Sequence, residues 1–276
     1  MDSERAFSSI NAAAFDRILS KYPSTVPKKM GTLEQRRWVD IPNAVQERRP
    51  RYATKDELDT LMDWKLAHGK FRPNLKKLIQ QNEGSTVEEV TTAHINVHTA
   101  SKTDEIIAAV KGLCVLRGVG PATASLLLST ANSDLPFFSD ELYRWAMFDE
   151  VMVSGKAEKV GWQREIKYTI PEYRELLLRV AGFRDRFSKE SGRNVQAIDV
   201  EKVAYVLAKS AEGDLRKQAV EASTKSSSLA SKALHRHSSL DEKAQSQPSK
   251  KRSQKAIDAE PSEHTSGLPS KRSRAR

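Results

Sequence analysis

A glycine-containing turn between two apolar helical segments constrains this chain of 276 residues more than any other feature. Apolar side chains recur at helical spacing over 106–116, and the pattern resumes over 124–128. Between these segments, Gly118 and Gly120 are expected to supply the positive φ angles of a tight turn. Pro121 favours the first turn of the second helix, because its φ angle is already helical. The sequence therefore predicts two helices joined by a hairpin.

The hairpin also predicts a site for an anion. The first amide N–H groups of a helix have no partner within it, and glycine leaves the backbone open to a ligand. On a basic chain we expect a DNA phosphate there, bound by the backbone of Gly118, Val119 and Gly120. Thr123 either adds its hydroxyl or caps its own turn, and the hairpin carbonyls are compatible with a monovalent cation. The alternative is a plain packing corner between two helices.

Charge and cysteine content limit the classes of partner and compartment. The formal net charge is +10, and the last 55 residues hold 12 Lys or Arg against 5 Asp or Glu. The excess lies mostly in the tail and favours a polyanionic partner. A single cysteine excludes an internal disulfide and suits a reducing compartment. No apolar run spans a bilayer and no signal-peptide pattern is present, so we expect an intracellular protein without a membrane partner.

No segment shows the alternating pattern of a strand over any length, so the predicted fold class is all-α. We expect a helical body over 1–212, with the hairpin at about 106–130, and a disordered basic tail over 213–276. Within the body, we expect a polar connector over 23–50 and helices at 6–22, 56–66 with Thr54 as its cap, 74–81, 87–97, 171–189 and 200–211.

Two basic clusters in the predicted tail have the composition of nuclear localisation signals. They are Lys250, Lys251 and Arg252, followed by Lys271, Arg272 and Arg274. They predict a nuclear protein that binds the import machinery, and the alternative is a solvated basic tail. The same charges favour salt-dependent, nonspecific contact with phosphates in either case.

The hairpin and the acidic residue after it resemble the helix-hairpin-helix DNA glycosylase superfamily. That family joins a Leu-x-Gly-Val/Ile-Gly hairpin to a Thr-Ala pair and then to an Asp, and here Asp140 lies 20 positions after Gly120. The stretch 136–141 is most similar to the alkylpurine glycosylases. The blocks at 55–65 and 69–73 are similar to a eukaryotic branch related to the fruit-fly protein Amun. The resemblance covers about residues 102–150.

The resemblance implies a fold, a reaction and a compartment. It implies a nuclear, all-α glycosylase that binds double-stranded DNA through the hairpin and breaks an N-glycosidic bond with the help of Asp140. Bifunctional members carry a lysine where this chain has Ala122, so β-lyase activity by that route is not expected. Endonuclease III relatives bind an iron–sulfur cluster through four cysteines, and the single Cys114 excludes that cofactor.

The chemistry of glycoside cleavage supports a catalytic carboxylate at Asp140. Positive charge develops on the sugar as the base departs, and a carboxylate held against the sugar stabilises that charge. The alternative is that Asp140 only caps the helix that follows it. Glu141 is a second candidate carboxylate, although we expect its side chain to point elsewhere.

A base inside a duplex must be flipped into a pocket before it can be excised, and aromatic walls suit such a pocket. Trp64, Tyr143 and Trp145 are the wall candidates, Phe137 and Phe138 are also available, and a position in the core is the alternative for each. Aromatic faces would favour a cationic, alkylated base. His94 and His98 have i, i+4 spacing but no third ligand, so no metal site is predicted.

These observations favour a monofunctional DNA glycosylase that acts on a damaged base in base excision repair. Two alternatives stay open. One is a DNA- or chromatin-binding module that keeps the hairpin without base excision, and the other is a protein-interaction scaffold in which the hairpin packs internally. A pocket deep enough for a base beside Asp140 would favour the enzyme over the binding module.

Overall fold

Every regular element of the computed structural model is a helix in the ranges that it describes, which are residues 5–69, 73–97, 102–148 and 160–217. The predicted all-α fold class is confirmed for these ranges. The helices, in chain order, are α1 Ala12–Leu19, α2 Tyr22–Thr25, α3 Gly31–Gln35, α4 Ile41–Glu47, α5 Lys55–His68, α6 Pro73–Gln80, α7 Gly84–His94, α8 Thr103–Leu113, α9 Pro121–Ala131, α10 Asp140–Ala146 and α11 Ile170–Ser191. A further helix, α12, covers residues 197–217. None of the described helices is long and apolar enough to cross a membrane.

Side-chain caps set the start of α5, as the sequence predicts. Thr54 Oγ1 accepts a hydrogen bond from the Glu57 N–H at 3.2 Å, and the Glu57 carboxylate accepts one from the Thr54 N–H at 2.8 Å. This reciprocal pair satisfies two amide groups that would otherwise lack a partner at the helix start. Arg48 donates two hydrogen bonds to the same carboxylate, at 2.7 and 2.8 Å. The cap therefore also ties the preceding loop to the helix.

The segment 23–50 is largely helical, so the prediction of a polar connector there is wrong. Helices α2, α3 and α4 occupy most of it. Its prolines do not prevent helix formation, because Pro23 and Pro42 lie in the first turns, where the missing N–H has no helical partner to lose. The buried side chains of Ile41 and Val45 join α4 to the core.

Two predicted boundaries, the start of the first helix and the end of the helical body, also differ from the observed ones. The first helix begins at Ala12 rather than near residue 6, because the Asn11 side chain caps it by accepting a hydrogen bond from the Ala14 N–H at 2.9 Å. At the other end, α12 continues through residue 217, so residues 213–217 are helical rather than the start of a disordered tail. The rest of the predicted tail, with both basic clusters, lies outside the described residues.

Helix α9 lies at the centre of the core, and every one of its residues after the first is buried. Its hydroxyl groups are satisfied locally, since Ser125, Ser129 and Thr130 donate to carbonyl groups about one turn earlier. Ser129 Oγ also accepts a hydrogen bond from Arg37 Nη2 at 2.7 Å, and Arg37 is 1% exposed. The guanidinium thereby ties the chain before α4 to α9.

One of the two glycines in the turn between α8 and α9 has the positive φ that the sequence predicts. Gly118 has a φ of +76°. Gly120 has a φ of −105° and a ψ of −177°, an extended conformation that any residue adopts, so the expected positive φ at Gly120 is wrong. The second constraint on the turn is Asn82, which accepts from the Arg117 N–H at 2.8 Å and donates to the Arg117 carbonyl at 3.0 Å.

Replacing Gly118 by alanine is expected to lower the free energy of unfolding by about 2–3 kcal/mol, because a Cβ makes a positive φ strained. The added methyl group would also lie 2.9 Å from Leu78 Cβ and 3.1 Å from two backbone atoms. Gly120→Ala is the matched control, since no atom lies within 4 Å of its Cβ position. Equilibrium unfolding in urea measures both variants, and equal effects would contradict this account of the turn.

Candidate functional site

A cavity of about 280 Å³, here called the outer cavity, opens beside the hairpin. Five separate parts of the chain form its wall: the end of α5, Leu75 of α6, the hairpin with the start of α9, the segment 137–141 and residues 167–168. Its volume lies near the lower end of the range for small-molecule pockets, about 300–1,000 Å³. The hairpin glycines, Thr123 and Asp140 all line it. The outer cavity is therefore the candidate functional site.

The hairpin presents fewer amide donors than the sequence predicts. Val119 is 6% exposed, and its N–H donates to the Leu116 carbonyl at 3.1 Å, so Val119 has no backbone donor left for a phosphate. The N–H groups of Gly118, Gly120 and Ala122 have no hydrogen-bond partner in the described ranges. Gly120 is also exposed. The predicted anion site thus loses Val119 and gains the amide of Ala122.

Thr123 lies inside the outer cavity rather than on the outer face of the hairpin. It is 2% exposed, and its Oγ1 accepts a hydrogen bond from Lys65 Nζ at 2.7 Å. This contact brings the ammonium group of α5 to the start of α9, 58 positions away in the sequence. The exposed Lys167 lines the same cavity. Two cations and a helix N-terminus favour an anionic group at the cavity mouth.

Asp140 lies at the start of α10 and lines the outer cavity. The cap of α10 is Ser139, whose Oγ accepts from the Leu142 N–H at 3.2 Å, so the alternative in which Asp140 is the cap is wrong. Asp140 Oδ1 accepts a hydrogen bond from the Tyr168 hydroxyl. Its Oδ2 lies 3.3 Å from Arg144 Nη1. The carboxylate is therefore held in place by two donors at the cavity wall.

Tyr168 is a site residue that sequence reasoning missed. It has a φ of +57° and is the one non-glycine residue with a positive φ in the described ranges. Such a conformation costs about 1–3 kcal/mol and persists where the surroundings hold it, often at functional sites. The ring packs against Phe138 with centroids 5.6 Å apart. No local signal could reveal this residue, because its contact with Asp140 spans 28 positions.

Glu141 lines the same cavity as Asp140, contrary to the expectation that it points elsewhere. It also lines a smaller space of about 20 Å³, here called the inner cavity, together with Glu201 and Tyr205. The two spaces meet near the first turn of α10, where Asp140 lines only the outer cavity and Glu141 lines both. Burial raises the pKa of Glu141 to about 6, and the charge of Asp140 acts in the same direction.

The aromatic residues predicted as pocket walls lie elsewhere. Trp145 is fully buried, and its indole N–H donates to the Arg5 carbonyl at 2.8 Å. Tyr143 is 5% exposed and does not line the outer cavity. Trp64 lines only the inner cavity, because its indole N–H is drawn to Glu34 at 2.6 Å. The aromatic wall of the outer cavity instead consists of Phe137, Phe138 and Tyr168.

His68 lines both cavities. Burial lowers its pKa to about 4, although the charge of Glu34 acts in the opposite direction. His68 Nε2 lies 3.1 Å from Glu34 Oε1. Glu34 also accepts hydrogen bonds from Tyr22 and Trp38, both at 2.8 Å. This network holds the α5 side of the site.

The described residues were also searched for a cluster of metal-binding side chains. No cluster of three or more His, Cys, Asp or Glu side chains suited to a metal ion occurs in residues 5–69, 73–97, 102–148 and 160–217. The His94 ring packs against Gly112, and His98 lies outside these ranges. A monovalent cation at the hairpin carbonyls stays a prediction.

The raised pKa of Glu141 makes folding stability depend on pH. Its folded-state value of about 6 exceeds the ordinary value of 4.5, so folding favours the protonated form, and this stabilisation is lost as the pH rises through 6. Between pH 4.5 and pH 7.5, the free energy of unfolding of the wild type should fall by about 1–2 kcal/mol more than that of Glu141→Gln, whose side chain cannot ionise. Urea unfolding at both pH values measures the difference. Glu83→Gln, at an exposed position, is the control, and identical pH dependence of wild type and Glu141→Gln would contradict the raised pKa of Glu141.

Comparison with protein-family models, with curated proteins and with solved structures found no significant match. The resemblance to DNA glycosylases therefore depends on the hairpin motif and its spacing to Asp140. To these the structure adds that Gly118, Gly120 and Asp140 line one cavity. The described residues are helical wherever they form regular structure.

Proposed function

We propose that this chain is a nuclear, monofunctional DNA glycosylase that flips a damaged base and hydrolyses its N-glycosidic bond in base excision repair. One observation carries the proposal. The exposed backbone at Gly120 and the carboxylate of Asp140 lie on the same cavity, so a bound phosphate and a reacting sugar can belong to one nucleotide or to neighbouring nucleotides. Neither a plain packing corner nor a helix cap requires that arrangement.

The hairpin would hold the DNA backbone. The amides of Gly118, Gly120 and Ala122 at the start of α9 offer donors to a phosphate, and the helix dipole favours negative charge there. Lys65 and Lys167 add positive charge at the same cavity. These contacts carry no base specificity, which agrees with a protein that searches duplex DNA before it extrudes a nucleotide.

The outer cavity would receive the flipped base. Extrusion costs a few kcal/mol of stacking and pairing, least for a damaged base. Phe137 and Phe138 form part of the apolar wall of this cavity, and Tyr168 closes the side near Asp140. Aromatic faces together with the carboxylates of Asp140 and Glu141 suit a cationic, alkylated base. Alkylated purines are therefore the first substrate class to test.

Asp140 would act on the sugar. As the glycosidic bond breaks, positive charge develops on the sugar ring, and a carboxylate fixed by Tyr168 and Arg144 stabilises it without having to reorganise. The same carboxylate can accept a proton from the attacking water. Position 122 is a buried alanine, so the helix after the hairpin offers no amine for a Schiff base at that point. The proposed reaction is a hydrolysis rather than a lyase reaction through that position.

DNA binding is tested at Gly120. Gly120→Trp should weaken duplex affinity about tenfold or more, because the indole would cover the backbone donors while the surrounding space leaves folding intact. Gly182→Trp is the matched control, since Gly182 is exposed on α11 and equally unobstructed. Fluorescence anisotropy at several salt concentrations measures both. Equal affinities of the two variants would favour the scaffold alternative.

Catalysis is tested at Asp140. Single-turnover assays on duplexes with alkylated, deaminated or oxidised bases, read by alkaline strand scission, should reveal at least one substrate. Asp140→Asn, which keeps the side-chain shape, should lower its excision rate about 10²- to 10³-fold with duplex binding unchanged. An absence of excision across the panel, with salt-sensitive binding retained, would instead favour the DNA-binding module.

A further inference from the structure

Two adjacent carboxylates lie at different depths of the site. Asp140 lines only the outer cavity, together with the hairpin glycines, whereas Glu141 lines both the outer and the inner cavity. His68, Phe137 and Ser139 are likewise shared by the two cavities, which places the junction on the side away from the hairpin. A nucleotide with its phosphate at the hairpin would therefore place its sugar near Asp140 and its base near Glu141.

The two carboxylates also differ in their partners. Asp140 is ion-paired with Arg144 and accepts a hydrogen bond from Tyr168. No other described side chain donates a hydrogen bond to the Glu141 carboxylate, which faces the cavity. An environment that holds one carboxylate in an ion pair and leaves its neighbour partly buried without a side-chain donor separates an anionic role from an acidic one.

Glu201 strengthens this separation at the inner cavity. Its Oε2 is buried without a hydrogen-bond partner in the described ranges, and Arg37 lies 3.8 Å away. Glu201 and Glu141 line a space of about 20 Å³, which is enough for one water molecule. Two carboxylates around so small a space resist simultaneous ionisation, and burial raises the pKa of Glu201 to about 7. A proton is therefore available beside the expected position of the base.

Building on the proposed glycosylase function, we propose that Glu141 is a catalytic residue, the general acid that protonates the departing base. The carboxyl proton of Glu141 passes to a ring nitrogen of the base while the C1′–N bond breaks and its electron pair goes to the base. The oxygen of a water molecule bonds to C1′, and the proton that it gives up passes to the carboxylate of Asp140. Solvent then returns a proton to Glu141 and removes one from Asp140.

This acid extends the substrate class from cationic bases to neutral damaged purines. A base with a fixed positive charge, such as 7-methylguanine, departs as a neutral molecule without any added proton. A neutral base such as hypoxanthine departs as an anion unless a proton reaches it during bond cleavage. A positioned acid contributes about 10²- to 10⁴-fold to such a step, so only the second kind of base depends on Glu141.

The experiment compares these two bases in matched duplexes, with the full chain under single-turnover conditions. Glu141→Gln is expected to lower the excision rate of hypoxanthine about 10²- to 10⁴-fold and that of 7-methylguanine less than about tenfold. Asp140→Asn should lower both rates. Glu141→Asp, which keeps an acid on a shorter side chain, should recover part of the hypoxanthine rate. Retained excision of 7-methylguanine by Glu141→Gln also demonstrates that the variant is folded.

The other outcomes distinguish failure of the role of Glu141 from failure of the proposed function. Equal loss on both bases, or no loss on either, overturns the role of Glu141 and leaves the proposed function standing. Excision of 7-methylguanine but not of hypoxanthine by the unaltered protein also overturns the role of Glu141. If the unaltered protein excises neither these two bases nor any other damaged base, the proposed function and this inference fail together.

Discussion

The structure depends on the complete burial of α9. Because every residue after Pro121 is buried, each polar side chain of this helix must find a partner inside the protein. Ser125 accepts a hydrogen bond from the Phe138 N–H at 2.9 Å, and Ser129 accepts one from Arg37. These two contacts fix the segment before α10 and the chain before α4 against α9. The outer cavity is the space that remains at the exposed end of α9, beside the hairpin.

The wall of this cavity on the α5 side is held by a partly buried carboxylate. Glu34 accepts hydrogen bonds from the side chains of Tyr22, Trp38 and Trp64, and it also contacts His68. A carboxylate with that many donors is satisfied without solvent, whereas loss of one donor would leave a partly buried charge less well compensated. The network also explains why Trp64 does not reach the outer cavity. Its indole N–H is committed to the network, and His68 lies in the wall instead.

The electrostatic character of the site comes from the contrast between neighbouring residues. Asp140 and Glu141 are adjacent in sequence, yet Asp140 has Arg144 and Tyr168 as partners while Glu141 is partly buried with a raised pKa. The strained backbone at Tyr168 is part of this arrangement, since its hydroxyl reaches Asp140 from a segment outside the helices. Strain and desolvation at one cavity are the conditions in which reactive groups are usually found.

The sequence by itself determined the helical class, the Thr54 cap of α5, the positive φ of Gly118 and the helical start at Pro121. Each of these features depends on a few neighbouring residues, so local chemistry suffices. Only the tertiary structure decided that 23–50 is helical, that Trp145 lies in the core and that Lys65, Tyr168 and Glu141 reach the cavity. The contacts of Lys65 and Tyr168 span 58 and 28 positions, and no local pattern records which distant helix will bury or expose a given side chain.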